Sequence, residues 1–370
     1  VLQYYRGDTR SVRVTNTITG TGTLQLVGQA ARATSSYTFD LASSGFSGNT
    51  EVLAGSRLLL KHHLGVGSNG IIKVKSDATL MIAVGAGNTV ANNLELEGVG
   101  WLEYVGQIGA FRMASGEFTG DILLTGDTRI GAWRGESGQI NAVISDGGNG
   151  YDLQKWGNGR VILTGASTYS GDTIVSGGQL LLANPDGPAL YNDPSNTDPN
   201  VVVRQTNPGR VIIRHDENAG WRYPDVAANL EFGEDNQLGS KVDVFFDAVH
   251  PYSYMSLRDT TQEIGNLSTG RNPGWAVLQN YEDKSQDSAV GTGSGHLIIN
   301  QDQDLTYQGY IRNSWSRNTN GGDPLKITKK GTGTLIVSTG SKNTGGIDVL
   351  EGMLQIGDSN ARGSLQNNNP

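Results

Sequence analysis

Apolar residues recur at every second position in short runs along the chain. Residues 22–28 read GTLQLVG, residues 71–74 read IIKV, and residues 335–337 read LIV. The runs are short and are bounded by Gly, Asn, Asp, Ser or Thr, a pattern typical of short β-strands joined by tight turns. No stretch has the period of about 3.6 residues that an amphipathic helix of three turns requires. The sequence therefore predicts an all-β fold.

One segment of the chain is repeated. Residues 157–183 and 331–357 align without a gap along their whole length, and a third copy that carries an insertion begins at Gly20. Turn glycines such as Gly171 and Gly345 are expected to adopt the positive φ that sharp turns need. Because one copy cannot bury its apolar side chains alone, we expect the copies to stack with their strands about 4.8 Å apart.

Stacked copies of this kind form a parallel β-helix. We expect residues 20–28, 157–165 and 331–339 to hold equivalent positions in it. The side chains expected to point inward and stack into a core are Val161, Leu163, Val175, Leu335, Val337 and Val349. A sandwich or barrel stays open as an alternative, because Asn-Gly pairs typical of hairpin turns also occur.

The first copy of the repeat, residues 155–183, reads KWGNGRVILTGASTYSGDTIVSGGQLLLA. It resembles the autotransporter-associated β-strand repeat of bacterial passenger domains, with the pattern Lys-x-Gly-x-Gly-x-Leu-x-Leu-x-Gly followed by Tyr-x-Gly-x-Thr-x-Val. Residues 329–357 fit more loosely, with Asn343 in the place of the tyrosine. The resemblance implies a right-handed parallel β-helix that is exported to the bacterial cell surface or the extracellular space.

The prolines mark a change within the chain. None precedes Pro185, and nine of the ten lie between Pro185 and Pro324. Proline is poorly tolerated inside a central ladder of strands. We therefore predict a single β-solenoid rod over residues 1–370, in which residues 185–325 form long loops or a lateral insertion in the C-terminal half.

Composition and charge exclude several functions. The net charge is −8 and there is no long basic run, so nucleic acid is not expected as a partner. The chain has no Cys, which excludes disulfides and thiolate metal sites. No run of about 18 apolar residues exists, so we expect no transmembrane segment. The chain begins at Val1 without Met or a signal peptide, so we expect a processed or trimmed product.

Acidic residues are the first candidates for catalysis, because paired carboxylates can act as acid and base when a cleft holds them at a defined separation. Adjacent residues on a strand point to opposite faces. This counts against the pairs at 216–217, 234–235 and 282–283, whereas Asp302 and Asp304 would share a face. We expect solvated turn acids and assign no catalytic residue.

Calcium is the one ion for which the sequence offers ligands. Asp193, Asp198, Asp302 and Asp304 are weak calcium candidates, because they place carboxylate oxygens at close spacing. The alternative is that they cap turns through their own side chains. The five histidines lack the spacing of a metal motif. We expect no cofactor other than calcium.

Aromatic residues gather late in the chain. Trp221, Tyr223, Tyr252 and Tyr254 are candidates for stacking against sugar rings, since aromatic rings offer flat apolar faces. The alternative is that these rings are buried and hold loops in place.

Two functions follow from these patterns. The first is a non-catalytic, extracellular or cell-surface structural β-solenoid that acts as an adhesin or filament subunit, and that binds host or matrix glycans or other copies of itself. Self-association is expected because a β-helix leaves strand edges unpaired at its ends. The alternative is a carbohydrate-active β-helix such as a polysaccharide lyase or a phage tailspike. A concave face that groups carboxylates with Arg or Lys in a cleft would favour the alternative.

Overall fold

The computed structural model describes residues 1–5, 11–28, 35–103, 106–191, 209–215, 227–238, 242–249, 252–280, 293–313, 323–359 and 364–365. Within these ranges the regular structure consists of β-strands and one 3-10 turn at Pro273–Trp275. The all-β prediction is confirmed. The chain divides into two compact units, with Val1–Gly171 in the first and most of the residues from Asp172 onward in the second.

The first unit is built from short strands that follow one another at close intervals. Its strands are β1 (Leu2–Tyr5), β2 (Ser11–Val14), β3 (Leu24–Val27), β4 (Ser35–Phe39), β5 (Thr50–Val52), β6 (Ser56–Leu60), β7 (Ile72–Val74), β8 (Thr79–Ala83), β9 (Thr89–Val90), β10 (Leu94–Gly98), β11 (Leu102–Glu103), β12 (Gly106–Gln107), β13 (Phe111–Ser115), β14 (Glu117–Phe118), β15 (Ile122–Gly131), β16 (Ser137–Ile140), β17 (Ile144–Ser145), β18 (Leu153–Trp156) and β19 (Arg160–Leu163).

In the described part of this unit the strands form three parallel ladders. The first ladder runs β1–β3–β5–β7–β10–β15–β17. The second runs β2–β4–β6–β8–β13–β15–β18, and the third runs β9–β14–β16–β19. Each strand of these ladders therefore pairs with a strand from the next coil of the chain, which is the pairing of a parallel β-helix. Among the pairings described here, only β11 and β12 are antiparallel.

The core of the first unit lies between these ladders. In the second ladder Tyr37, Leu58, Leu80, Phe111 and Ile130 align in register, and each is at most 1% exposed. Burying a side chain of this size stabilises the fold by about 1.5–3 kcal/mol. One inward row of the ladder thus supplies a continuous apolar stack.

The second unit repeats this construction. Its strands are β20 (Thr173–Val175), β21 (Gly178–Leu182), β22 (Val211–Ile213), β23 (Ala228–Phe232), β24 (Val244–Phe246), β25 (Ser253–Ser256), β26 (Thr261–Ile264), β27 (Leu267–Thr269), β28 (Ala276–Gln279), β29 (Gly295–Asn300), β30 (Leu305–Tyr307), β31 (Tyr310–Arg312), β32 (Leu325–Lys330), β33 (Thr334–Val337), β34 (Gly340–Lys342), β35 (Ile347–Val349), β36 (Met353–Ile356) and β37 (Ser364–Leu365).

These strands form parallel ladders as well. The ladders run β20–β22–β24–β27, β21–β23–β25–β28–β31–β34–β37, β26–β29–β32–β35 and β30–β33–β36. The described parts of 185–325 therefore consist largely of coils. The predicted long loops or lateral insertion fall mainly on residues outside the described ranges. The parallel β-helix is confirmed, while its right-handed winding and a single rod over 1–370 stay predictions.

The strands of the two gapless copies begin and end at matching sequence positions, β19 with β33 and β20 with β35. Their places in the coils differ, because β19 belongs to an eleven-stranded sheet and β33 to the three-stranded sheet of β30, β33 and β36. The predicted equivalence of residues 157–165 with 331–339 is therefore wrong. The predicted equivalence of residues 20–28 with 157–165 is wrong. β3 lies in the first ladder of its unit and β19 in the third. A glycine turn followed by alternating apolar residues fits a strand on any ladder, so this short pattern could not separate them.

Most of the predicted inward positions are buried. Val161, Leu163, Val175, Leu335 and Val337 are at most 2% exposed, which confirms their placement in the core. Val349 is 47% exposed, so its prediction is wrong. β35 pairs with β32 on one side, and no strand among the described residues pairs with its other side. Val349 is exposed because no further coil of the described residues stacks on β35.

Candidate functional site

Acidic and amide side chains at one corner of the coils bond to the next coil. Asp304 Oδ1 accepts the backbone N–H of Thr334 at 2.7 Å, and Asp243 Oδ1 accepts that of Asn266 at 2.8 Å. Hydrogen bonds from Thr334 lower the pKa of Asp304 below its ordinary value. The carboxylate of Asp304 is therefore kept charged and serves as a cap between coils, which is a structural use of a turn acid.

Of the remaining carboxylate pairs, only the pair at 234–235 lies among the described residues. Asp235 Oδ1 accepts the backbone N–H of Thr261 at 2.7 Å, so it too caps a neighbouring coil. The pairs at 216–217 and 282–283 lie outside the described residues.

Two of the four calcium candidates lie among the described residues. Asp302 and Asp304 are exposed, whereas Asp193 and Asp198 lie outside the described residues. Within the described ranges no group of three or more His, Cys, Asp or Glu side chains is placed to hold a metal ion. Calcium binding stays a prediction.

An ionic cluster on the outer face of the first unit brings together residues that the sequence did not single out. Arg112 on β13 donates from Nη1 to Glu103 at 2.7 Å, and from Nε and Nη2 to Glu136 at 2.9 and 2.5 Å. Arg57 lies 3.6 Å from Glu103 and 4.5 Å above the ring of Trp101. We call Arg57, Glu103, Arg112 and Glu136 the outer ionic cluster.

The charged side chains of the outer ionic cluster bond to one another. Both oxygens of Glu103 accept from Arg112, and Glu136 Oε2 also accepts the backbone N–H of Trp133 at 2.6 Å. Burial would lower the pKa of Arg112, but hydrogen bonds to Glu136 and the charges of Glu136 and Glu103 outweigh it and raise the pKa. Glu103 lies on β11 and Arg112 on β13, so the arrangement ties the β11–β12 hairpin to the coils.

Each copy of the repeat buries a lysine at the start of its pattern. Lys155 is 1% exposed and Lys329 is 0% exposed. The Nζ of Lys155 donates to the carbonyl oxygens of Trp156 and Gly157 at 3.2 and 2.9 Å. The Nζ of Lys329 donates to the carbonyl oxygen of Gly331 at 2.7 Å. The lysine thus fixes the glycine turn that follows it, and its recurrence in both copies was the sequence signal for this role.

A buried aspartate fixes the Ser-Gly pair of the first copy. Asp146 Oδ2 accepts the backbone N–H and the hydroxyl of Ser170 at 3.0 and 2.9 Å, and the N–H of Gly150 at 2.8 Å. Burial alone would raise the pKa of Asp146, but hydrogen bonds from Ser170 and Gly148 lower it. The repeat is therefore locked to the preceding coil by a charged carboxylate.

The aromatic candidates are partly brought together. The rings of Tyr252 and Tyr254 are stacked with 2° between their planes and 5.8 Å between their centroids. Tyr252 is 54% exposed and Tyr254 is 7% exposed. Arg312 lies 5.7 Å from the centroid of the Tyr254 ring. Trp221 and Tyr223 lie outside the described residues.

Comparison with known proteins identifies the repeat. Residues 153–182 and 327–356 each match the family model described as Passenger-associated-transport-repeat. No curated protein and no solved structure matches the chain. The resemblance of the two copies to an autotransporter passenger repeat is confirmed, and this family implies secretion to the cell surface or the extracellular space. Among the described residues, no helix is long and apolar enough to cross a membrane.

Proposed function

We propose that the chain is a non-catalytic part of a bacterial surface passenger that acts by binding, as an adhesin. The two passenger repeats support the location. The observation that carries the non-catalytic assignment is that Arg112 binds both carboxylates of the outer ionic cluster. Glu103 and Glu136 lie beside arginines, as the carbohydrate-active alternative requires, yet Arg112 occupies both carboxylates.

A general acid must hold a proton that it can release near the working pH. Asp247, which lies between two arginines, is held in the opposite state. Asp247 accepts from Arg271 at 2.9 and 2.6 Å and from Arg214 at 3.1 Å. The hydrogen bond from Arg271 is the largest influence on the pKa of Asp247 and lowers it. Asp247 is therefore held in its ionised form, which supports binding rather than hydrolysis at this position.

The test separates adhesion from turnover. Beads are coated with the folded chain or with the heat-denatured chain. The retention of the two kinds of bead on matrix-coated surfaces and on epithelial cells is then compared. The same folded chain is incubated with a panel of polysaccharides while new reducing ends and unsaturated products are measured. We expect retention without new chain ends. Cleavage that disappears in Glu136→Gln would establish the enzyme instead, and folded beads that are not retained would overturn adhesion.

We also propose that copies of the chain associate through the outer edge of β35 and β36. The support is an exposed apolar group at this edge, in which Val349 is 47% exposed, Leu350 68% and Ile356 36%. No strand among the described residues pairs with the outer edges of β35 and β36, and apolar side chains at such an edge favour pairing with another strand. The sedimentation of the wild type is compared with that of Leu350→Glu. Leu41→Glu is the control, because Leu41 is another exposed apolar residue (47%). We expect only Leu350→Glu to lower the oligomeric state, and a wild type that stays monomeric at high concentration overturns the proposal.

A further inference from the structure

Aromatic side chains collect on the outer face of three successive coils in the second unit. Tyr252 and Trp275 each lie one residue before the paired residues Ser253 and Ala276, so they stand at the same level on adjacent coils. Tyr254 and Tyr310 pair with Val277 from its two sides. Ser253 and Ala276 are fully buried, so Tyr254 and Val277, which follow them on β25 and β28, point outward. We call Tyr252, Tyr254, Trp275 and Tyr310 the aromatic terrace.

The terrace is accessible at its edges. Tyr252 is 54% exposed and Tyr310 is 38% exposed, and Trp275 is half-buried. Tyr252 has a φ of 69°, in the left-handed region, where a bulky side chain is uncommon and strained. Strained residues of this kind gather at binding sites, where the surrounding structure holds them in place. The strain presents the Tyr252 ring parallel to that of Tyr254.

A row of hydrogen-bonded side chains beside the terrace holds it rigid. Asn229 Oδ1 accepts from Ser256 at 3.0 Å, and Ser256 Oγ accepts from Gln279 at 3.0 Å. Gln279 Oε1 accepts from Arg312 Nε and Nη2 at 2.9 and 2.6 Å, and Arg312 lies beside the Tyr254 ring. The row crosses four coils, and Asn229, Ser256 and Gln279 are at most 2% exposed. The half-buried guanidinium of Arg312 is the polar group through which this row reaches the edge of the aromatic surface.

We propose that the aromatic terrace is a binding site for a neutral glycan. The inference rests on the adhesive function proposed above and names its ligand class. Sugar rings have apolar C–H faces that stack on flat aromatic rings, and hydroxyl groups at their rims that bond to planar polar side chains. The net charge of −8 disfavours polyanionic glycans through long-range repulsion. A rigid terrace loses little entropy when it binds, which favours recognition of weakly binding sugars.

The test uses the full chain and a panel of immobilised oligosaccharides, neutral and acidic. We expect at least one neutral glycan to bind, and its affinity to fall about tenfold in Tyr252→Ala and in Tyr310→Ala. Tyr5→Ala is the control, because Tyr5 is an exposed tyrosine (68%) in the first unit, outside the terrace. Tyr252→Gly removes the strain at φ 69° together with the ring. We expect it to lose binding while its melting temperature stays the same or rises.

The outcomes separate a ligand site from a structural role. If the Tyr252 side chain has a structural role, Tyr252→Gly will have a lower melting temperature than the wild type. A lower melting temperature together with unchanged glycan binding overturns the proposal. Binding to acidic glycans alone, or to no glycan, also overturns it. If cell adhesion of the coated beads persists in Tyr252→Ala and Tyr310→Ala, the glycan site fails while the adhesive function stands.

Discussion

A Cβ on Gly171 would lie 2.2 Å from the carbonyl oxygen of Tyr151 in the preceding coil. The same restriction recurs in the second copy, where a Cβ on Gly345 would lie 2.5 Å from the Leu325 backbone. Neither glycine has a φ in the left-handed region, so the positive φ predicted for them is wrong. These glycines allow two coils to approach each other, and the coil spacing depends on the missing side chain.

We therefore expect Gly171→Ala to destabilise the fold strongly, by about 3 kcal/mol, because backbone cannot move aside as a side chain can. The control is Gly148→Ala, since Gly148 has a φ of 80° and open space around it. It should cost only about 1–2 kcal/mol, the strain of a left-handed alanine. Chemical denaturation followed by circular dichroism measures both, and equal losses would contradict the close-approach explanation.

Stability should depend on pH through Lys155. Burial lowers the pKa of Lys155 from its ordinary 10.5 to about 7. Between these two pH values the unfolded chain binds more protons than the folded chain, so the free energy of unfolding rises with pH across this window. The charges on neighbouring elements are already engaged, with Arg129 above the ring of Trp156 and Glu136 bound to Arg112.

Lys155→Met should remove that contribution, which amounts to about 1.4 kcal/mol for each unit by which the pKa is lowered. Denaturation at pH 6, 8 and 10 is compared between wild type, Lys155→Met and the exposed control Lys61→Met. We expect the stability of the wild type relative to Lys155→Met to increase with pH, and Lys61→Met to follow the wild type. Parallel profiles for wild type and Lys155→Met would show that Lys155 keeps its ordinary pKa.

The inward rows set the stability of each unit. Leu163→Ala and Leu335→Ala should each cost about 2–5 kcal/mol, because both side chains are 1% exposed and their removal leaves a cavity. Val349→Ala should cost well under 1 kcal/mol, since Val349 is 47% exposed. Melting temperatures that do not separate the two leucines from Val349 would contradict this placement of the core.

The outer ionic cluster should be sensitive to the loss of its central guanidinium. Arg112→Met leaves Glu103 and Glu136 close together without their counter-charge, and we expect a cost of about 3–5 kcal/mol. Arg13→Met is the control, because the Arg13 side chain is 70% exposed and its ion pair contributes about 0–1 kcal/mol. Thermal denaturation compares the two, and an equal effect would show that the cluster adds no stability.

Local pattern was sufficient for the strands and for the repeat, because period-two alternation and glycine spacing are properties of a few consecutive residues. The ladder on which each strand lies could not be predicted from so few residues. β3 and β19 share a pattern but lie on different ladders, since intervening residues decide where each strand meets the coil below. The exposure of Val349 could not be predicted from the local sequence either, because it depends on which strand stacks next to β35.

The outer ionic cluster could not be predicted for the same reason. Arg112 and Glu136 are separated by 24 residues, and only the stacking of coils brings them together. The tyrosine pair was easier, because Tyr252 and Tyr254 are only two residues apart in the sequence, and their rings stack although Tyr252 lies just before β25. The exposure of one ring and the burial of the other follow from the three-dimensional surroundings and from the left-handed backbone at Tyr252.

The hydrogen bonds between coils, including the side-chain caps that Asp243 and Asp304 make to the next coil, run along the direction in which the coils stack. Tension applied in that direction passes through one coil-to-coil contact after another, as load passes through links in series. Each coil contacts mainly its neighbours, so the weakest contact yields while the others keep their structure. Within each unit the chain would then lengthen in steps of one coil, absorbing mechanical work without losing the whole fold.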